Sequence, residues 1–210
     1  MKLAHGVFCL LCGSMLYAGS VGAQNLLTNG SFEDPAYPNG VSAAGSIPGW
    51  TSTGGFEIWN QFQGPGADGN QYLELDVSTC TTISQTVATD ATKSYRVSLA
   101  FAARNGVADN GIEVRWNGTV IGTASADGTG HSGNVVWTRH AFSAPGAAGT
   151  STLEIRNADA CDGLGSLLDD VSVAEVVPPT PTPALGSPGA ILLTGTLGLL
   201  AFLLLRRRVV

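Results

Sequence analysis

Between residues 24 and 175 no long stretch of the chain keeps a helical hydrophobic period; what recurs is alternation. Tyr95, Val97, Leu99 and Phe101 alternate with Arg96, Ser98 and Ala100, and Ile112, Val114 and Trp116 alternate with Glu113 and Arg115. Successive side chains of a strand point to opposite faces, so each such run has one apolar and one polar face. Asn117-Gly118 then leads into Thr119 to Thr123, a hairpin signal, because both residues tolerate the positive φ of a two-residue turn. Further runs lie at Gly49 to Ser52, Phe56 to Trp59, Gln71 to Val77, Thr82 to Val87, Val135 to Phe142, Ser151 to Arg156 and Leu167 to Glu175. Many short strands with loop-rich connections must bury their apolar faces against one another. The pattern predicts an all-β, two-sheet sandwich of jelly-roll type.

The two ends of the chain differ from this middle. Residues 1–23 combine Lys2 and His5, an apolar stretch from Gly6 to Ala18, and Val21-Gly22-Ala23 ahead of Gln24, the three parts of a secretory signal. Residues 176–188 form a proline-rich spacer. Gly189 to Leu205 is an unbroken apolar run, followed by Arg206, Arg207 and Arg208. As a helix that run rises about 25 Å, at the short end of a bilayer span. The basic residues at 206–210 would stay on the cytoplasmic side. The expected plan is one exported domain, residues 24–175, held outside by a C-terminal transmembrane helix at 189–205.

All 16 acidic residues and six of the ten basic ones fall in residues 24–175, a net charge of −10. Such a surface repels nucleic acid and suits calcium, neutral sugars or a basic partner. Two cysteines remain in the domain, Cys80 and Cys161. In an oxidising compartment they are expected to pair, two free thiols being the alternative; they lack zinc-ligand spacing.

Several segments carry a resemblance that spans most of the domain. Asn25-Leu26-Leu27-Thr28-Asn29-Gly30-Ser31-Phe32-Glu33 resembles the opening strand of galactose-binding-like jelly rolls. Ile47-Pro48-Gly49-Trp50, Ala67 to Leu75, Ile83-Ser84-Gln85 and Leu168 to Val173 resemble the segments that follow and the closing strand. That group includes carbohydrate-binding modules and a family of unknown function found in plant cell walls and bacterial surface proteins. The tail, with Pro181-Thr182-Pro183 where a Pro-Glu-Pro would stand, is similar to the PEP-CTERM and IPTL-CTERM sorting signals. That likeness implies processing by an exosortase-like membrane protease.

Three kinds of site are candidates. The resemblance implies a structural calcium tying the first strand to the last, with Glu33 and Asp169 at the matching positions. Alternation places Asp169 on the same face as Leu167, Val171 and Val173, where a carboxylate needs a partner or a metal; capping of a loop is the competing role. Sugar binding needs an exposed aromatic face with polar groups around it. Trp59, Asn60, Phe62 and Gln63 form the best such cluster, with Tyr72, Glu74, Arg104 and Asn105 as further candidates; Trp50, Trp116 and Trp137 read as core. Catalysis would fall to Glu57, Glu74 and Asp76, but no supporting motif accompanies them, and neither a nucleophile elbow nor a phosphate loop occurs. The expectation is a non-enzymatic polysaccharide-binding protein of the cell surface, with a structural or adhesive protein that binds other proteins as the alternative.

Overall fold

The computed structural model describes residues 24–77 and 79–178, and every regular element there is a strand. The strands are β1 (Gly40–Ala44), β2 (Thr51–Ser52), β3 (Phe56–Asn60), β4 (Gln71–Glu74), β5 (Thr82–Thr89), β6 (Ser94–Ala102), β7 (Asn110–Trp116), β8 (Thr119–Ala126), β9 (Thr138–Pro145), β10 (Gly149–Asn157) and β11 (Leu167–Glu175). They form a six-stranded sheet ordered β1-β3-β4-β11-β6-β9 and a five-stranded sheet ordered β2-β5-β10-β7-β8. From β4 onward the chain changes sheet at nearly every step, returning only for the β7–β8 hairpin. At that turn Asn117 and Gly118 have φ of 50° and 77°, as the Asn-Gly pair predicts. The expected signal at 1–23, the apolar run at 189–205 and the basic tail lie outside the described residues. Among the described residues no helix is long and apolar enough to cross a membrane.

The inner faces follow the alternation. Val97, Leu99 and Phe101 of β6 meet Ile112, Val114, Leu153 and Ile155 of the other sheet in one core. Trp50 and Trp116 belong to this core as expected, and their indole N–H groups donate to the carbonyls of Asn29 and Pro145 at 3.0 and 2.8 Å. A buried indole needs such a partner.

Three expectations are corrected. The segment 25–33 is not a regular strand. It lies along the part of β11 that β4 does not reach: Leu26 N–H donates to Val173 O, and Val171 N–H to Gly30 O. Positive φ at Asn29 and Phe32 turns the chain away before a strand can continue. The run from Gln71 ends at Glu74, short of Val77. Asp169 does not share a face with Val171 and Val173. A bulge between Asp169 and Ser172, with Asp170 at φ 45°, resets the register. One extra residue reverses the alternation beyond it, so Asp169 faces outward with Leu167 while Val171 and Val173 face the core.

Cys80 and Cys161 are joined in a disulfide. It closes a segment of 81 residues that contains strands of both sheets. Cross-linking a loop of that length restricts the unfolded chain by about 4 kcal/mol in the chain-entropy model. Replacing both cysteines by serine is expected to lower Tm by roughly 8–16 °C, read by scanning calorimetry.

Candidate functional site

β3 and β4 are buried on both faces, and this sets the six-stranded sheet apart. Ile58 and Leu73 pair across these strands and enter the core; Trp59 and Tyr72, paired in the next rung, point the other way. On the outer face they pack with Ala102, Val135, Leu167 and the half-buried Trp137 into a second apolar cluster. Trp59 is 1% exposed and Tyr72 fully buried. The lid comes from two loops. Val135 N–H donates to Gln63 O at 2.8 Å, and Trp137 Nε1 donates to Pro65 O at 3.1 Å, joining the segment after β3 to the segment before β9. The Tyr72 hydroxyl accepts from Gln63 N–H at 3.0 Å, and Gln63 Oε1 accepts from Asn105 N–H at 3.1 Å.

Polar groups border this cluster. The Arg104 guanidinium carbon lies 4.9 Å from the centre of the Trp59 ring, a cation–π distance. Its Nη1 donates to Gly163 O at 3.1 Å and stands 3.4 Å from Glu74 Oε1. Glu57 is the cross-strand partner of Glu74 and accepts Trp59 Nε1–H at 2.6 Å. Glu74 is buried, and its two oxygens accept the N–H groups of Asp76 and Gly165. Burial pushes its pKa up to about 7 against those bonds. Asp76 Oδ2 accepts Gly163 N–H at 2.8 Å. The strand-end carboxylates thus hold the segment after Cys161 from below. A Cβ on Gly165 would stand 2.6 Å from Asp76 N and Cβ, so this approach requires glycine.

Glu33 and Asp169 act on a different loop, residues 66–71. Glu33 Oε1 accepts the N–H groups of Asn70 and Gln71, both at 2.6 Å. Asp169 accepts from Asp68 N–H at 2.9 Å through Oδ2 and from its neighbour Asp170 N–H at 2.6 Å through Oδ1. A Cβ on Gly69, at φ 82°, would come within 2.4 Å of Glu33 Oε1. Burial pushes the Asp169 pKa up to about 7. A calcium needs six to eight oxygen ligands. Here three of the four carboxylate oxygens face N–H hydrogens, and among the described residues no three acidic, His or Cys side chains converge to hold a metal. These bonds cap the 66–71 loop, the competing role for Asp169.

Of the residues singled out for sugar binding, Trp59, Phe62, Tyr72, Glu74 and Arg104 come together. Asn60 does not: its Nδ2 donates to Tyr37 O at 2.7 Å and ties β3 to the segment before β1. Trp59 has no free ring face, because Phe62 meets it edge-on at 4.9 Å and Arg104 covers it. The accessible aromatic is Phe62, 54% exposed; Val136, 69% exposed, is on the segment that Val135 N–H ties to Gln63 O. Trp137, read as core, instead packs edge-on against Tyr72 at 5.3 Å in the outer cluster. Nothing local in the sequence marks that role, since Trp137 reaches Tyr72 only through the folding-over of its loop.

The family model described as a protein of unknown function (DUF642) matches residues 25–174. Multifunctional-autoprocessing repeats-in-toxin proteins of Vibrio cholerae and Vibrio vulnificus are 34% and 33% identical over 158 and 156 residues, or 72% and 71% of this chain. The chain spans only 3% of the length of either toxin. Among solved structures, TmCBM61 in complex with β-1,4-galactotriose superposes with a TM-score of 0.51 at 18% identity, covering 73% of this chain and 100% of that one. The Stig cyclase Fisc from Fischerella superposes at 0.54 and 12% identity, covering 74% of this chain and 98% of its own. The fold is therefore shared by a carbohydrate-binding module and by an enzyme.

The raised carboxylates set a pH dependence. Glu74 and Asp169 bind protons in the folded state up to about pH 7, well above the unfolded range. Their stabilising protonated forms are fully present below the unfolded pKa and are lost as pH rises through 7. Tm should rise by roughly 5 °C or more from pH 8 to pH 5, and Glu74→Gln should flatten that slope; a Tm that falls over this interval would contradict it.

Proposed function

The chain belongs to the family of unknown function DUF642, and on that footing we propose that it is a non-enzymatic module that binds an extracellular or cell-wall polysaccharide. The observation that carries this reading is the second apolar cluster, built on the outer face of a sheet whose inner face already supplies the core. It ends in an exposed aromatic, Phe62, set edge-on to the Trp59 ring that the Arg104 guanidinium covers, and followed in the chain by Gln63, whose Oε1 accepts the Asn105 N–H. The weakly polar face of a sugar ring packs on an aromatic surface while the neighbouring polar groups meet its hydroxyls. The galactotriose complex of TmCBM61, on the same fold, supports the choice of ligand class.

Because the fold also serves a cyclase, the non-catalytic part of the reading rests on this chain's own carboxylates. Both oxygens of Glu74 and one of Asp76 are committed to backbone N–H groups, and Glu57 to the Trp59 indole. General acid–base chemistry needs a carboxyl within reach of substrate. In this reading residues 1–23 export the domain, residues 189–205 anchor it at the membrane, and an exosortase-like protease is the processing partner. The net charge of −10 keeps nucleic acid away.

Glycan-array screening of the full chain, with β-1,4-galactan among the polysaccharides, tests the proposal. Phe62→Ala should weaken binding about tenfold, roughly 1.4 kcal/mol, with Tm nearly unchanged. Trp59→Ala should instead destabilise the fold by about 3–5 kcal/mol, because it empties a buried site. Absence of binding to any glycan would count against the function, as would affinity unmoved by Phe62→Ala.

A further inference from the structure

β1 is an outer strand of the six-stranded sheet, and among the described residues no strand pairs with its far side. Its pairing with β3 leaves a defined set of backbone groups open. Gln61 N–H donates to Asn70 O, and Leu75 N–H to Ser166 O, so the peptide groups of Glu57, Trp59 and Gln61 face β4. Such groups alternate in direction along a strand. Those of Phe56, Ile58 and Asn60 therefore face β1 and meet Ala44, Ser42 and Gly40. The N–H and C=O of Val41 and Ala43 are left pointing away from the sheet, and among the described residues nothing bonds to them. The other three sheet edges are blunted. β2 is two residues long, and β8 is bulged opposite Val114 and Arg115. β9 carries Arg139, ends in Pro145 and lays Phe142 against Gly122 of β8. β1 reads Gly-Val-Ser-Ala-Ala, with no charge, no proline and no bulge, and Val41 is 46% exposed. An edge without those devices is a template for a further strand.

We propose that β1 pairs antiparallel with β1 of a second copy of this chain, joining two six-stranded sheets about a two-fold axis at Ser42. The register that pairs all of β1 sets Val41 opposite the second copy's Ala43, and Ala43 opposite its Val41. The open N–H and C=O groups of both copies are then satisfied by one another, as an isologous contact requires. Charge favours this seam for a second copy. A domain of net charge −10 repels its like over most of its surface, but β1 carries no charged side chain. The carboxylate next to it in register is Glu57, beside Ala43. The two-fold continues that rung into the second copy's Val41 and Trp59, and the two Glu57 side chains are offset. Val41 shares its rung with Trp59, so the pairing covers Val41 and places both Trp59–Phe62 pairs on one continuous sheet face. One strand pair is smaller than the roughly 1,200–2,000 Å² of a permanent interface, so the dimer is reversible. The pairing does not rest on the carbohydrate reading.

Cross-linking of the full chain, in detergent under oxidised glutathione, tests the pairing. On the two-fold axis Ser42 meets its own counterpart in a rung without hydrogen bonds, where Cα atoms stand ~4.5 Å apart, within disulfide reach. Val41 lies diagonal to the second copy's Val41, roughly 7–8 Å away and beyond that reach. Ser42→Cys should therefore form a covalent dimer roughly tenfold faster than Val41→Cys, whose geometry forbids the bond. Ala88→Cys, exposed on the other sheet, should stay as monomeric as the wild type, which sets the background from the remaining cysteines. Ala43→Pro removes an N–H that β3 does not use, which an edge strand tolerates, so Tm should hold while the Ser42→Cys dimer falls roughly tenfold. Absence of a Ser42→Cys dimer overturns the pairing; a foreign strand added to β1, or the chain's own end laid over it, would give that result. Equal rates for Ser42→Cys and Val41→Cys, or a dimer untouched by Ala43→Pro, overturn it too.

Discussion

Trp59 and Tyr72 stand opposite each other on β3 and β4, on the face turned away from the core, and the rest of the upper surface is arranged around covering them. A tryptophan and a tyrosine left on an open sheet face would expose several hundred Å² between them. The chain buries them by bringing Gln63 to Tyr72, Trp137 to Pro65 and Arg104 onto the indole. Three separate loops are thereby positioned by one pair of aromatic side chains. Phe62 is the residue left outside when that packing is complete.

The loops themselves are held by carboxylates acting on backbone N–H groups. Glu33 and Asp169 grip residues 66–71 from two sides; Glu74 and Asp76 grip the segment after the disulfide. Irregular backbone cannot satisfy its own donors as a strand ladder does, so a buried loop needs acceptors from elsewhere. Burial of Glu74 and Asp169 exceeds what their hydrogen bonds return, and their pKa values are raised in consequence. The acidity of the domain is thus partly structural. It reflects loops fixed by side chains as well as a solvated surface.

Much of the strand framework was legible because alternation is a local property. The runs at Tyr95 to Phe101, Ile112 to Trp116, Thr82 to Val87 and Leu167 to Glu175 all appear as strands, and Asn117-Gly118 makes its turn. β1 went unread, since Gly40–Ala44 carries small residues and only one large apolar side chain. The burial of Gln71–Glu74 on both faces was illegible for another reason. Alternation reports which residues oppose each other, and not whether loops will later cover the polar side.

The sequence by itself determined an all-β domain carrying two cysteines, because period-two patterning and the count of cysteines are local facts. Only the tertiary structure decided which face each critical side chain takes. A single bulged residue at Asp170 turned Asp169 from the core face to the outer face of its sheet, and the folding-over of two loops turned Trp59 from an open platform into a buried one. Both outcomes depend on contacts between segments tens of residues apart, and no window along the chain contains them.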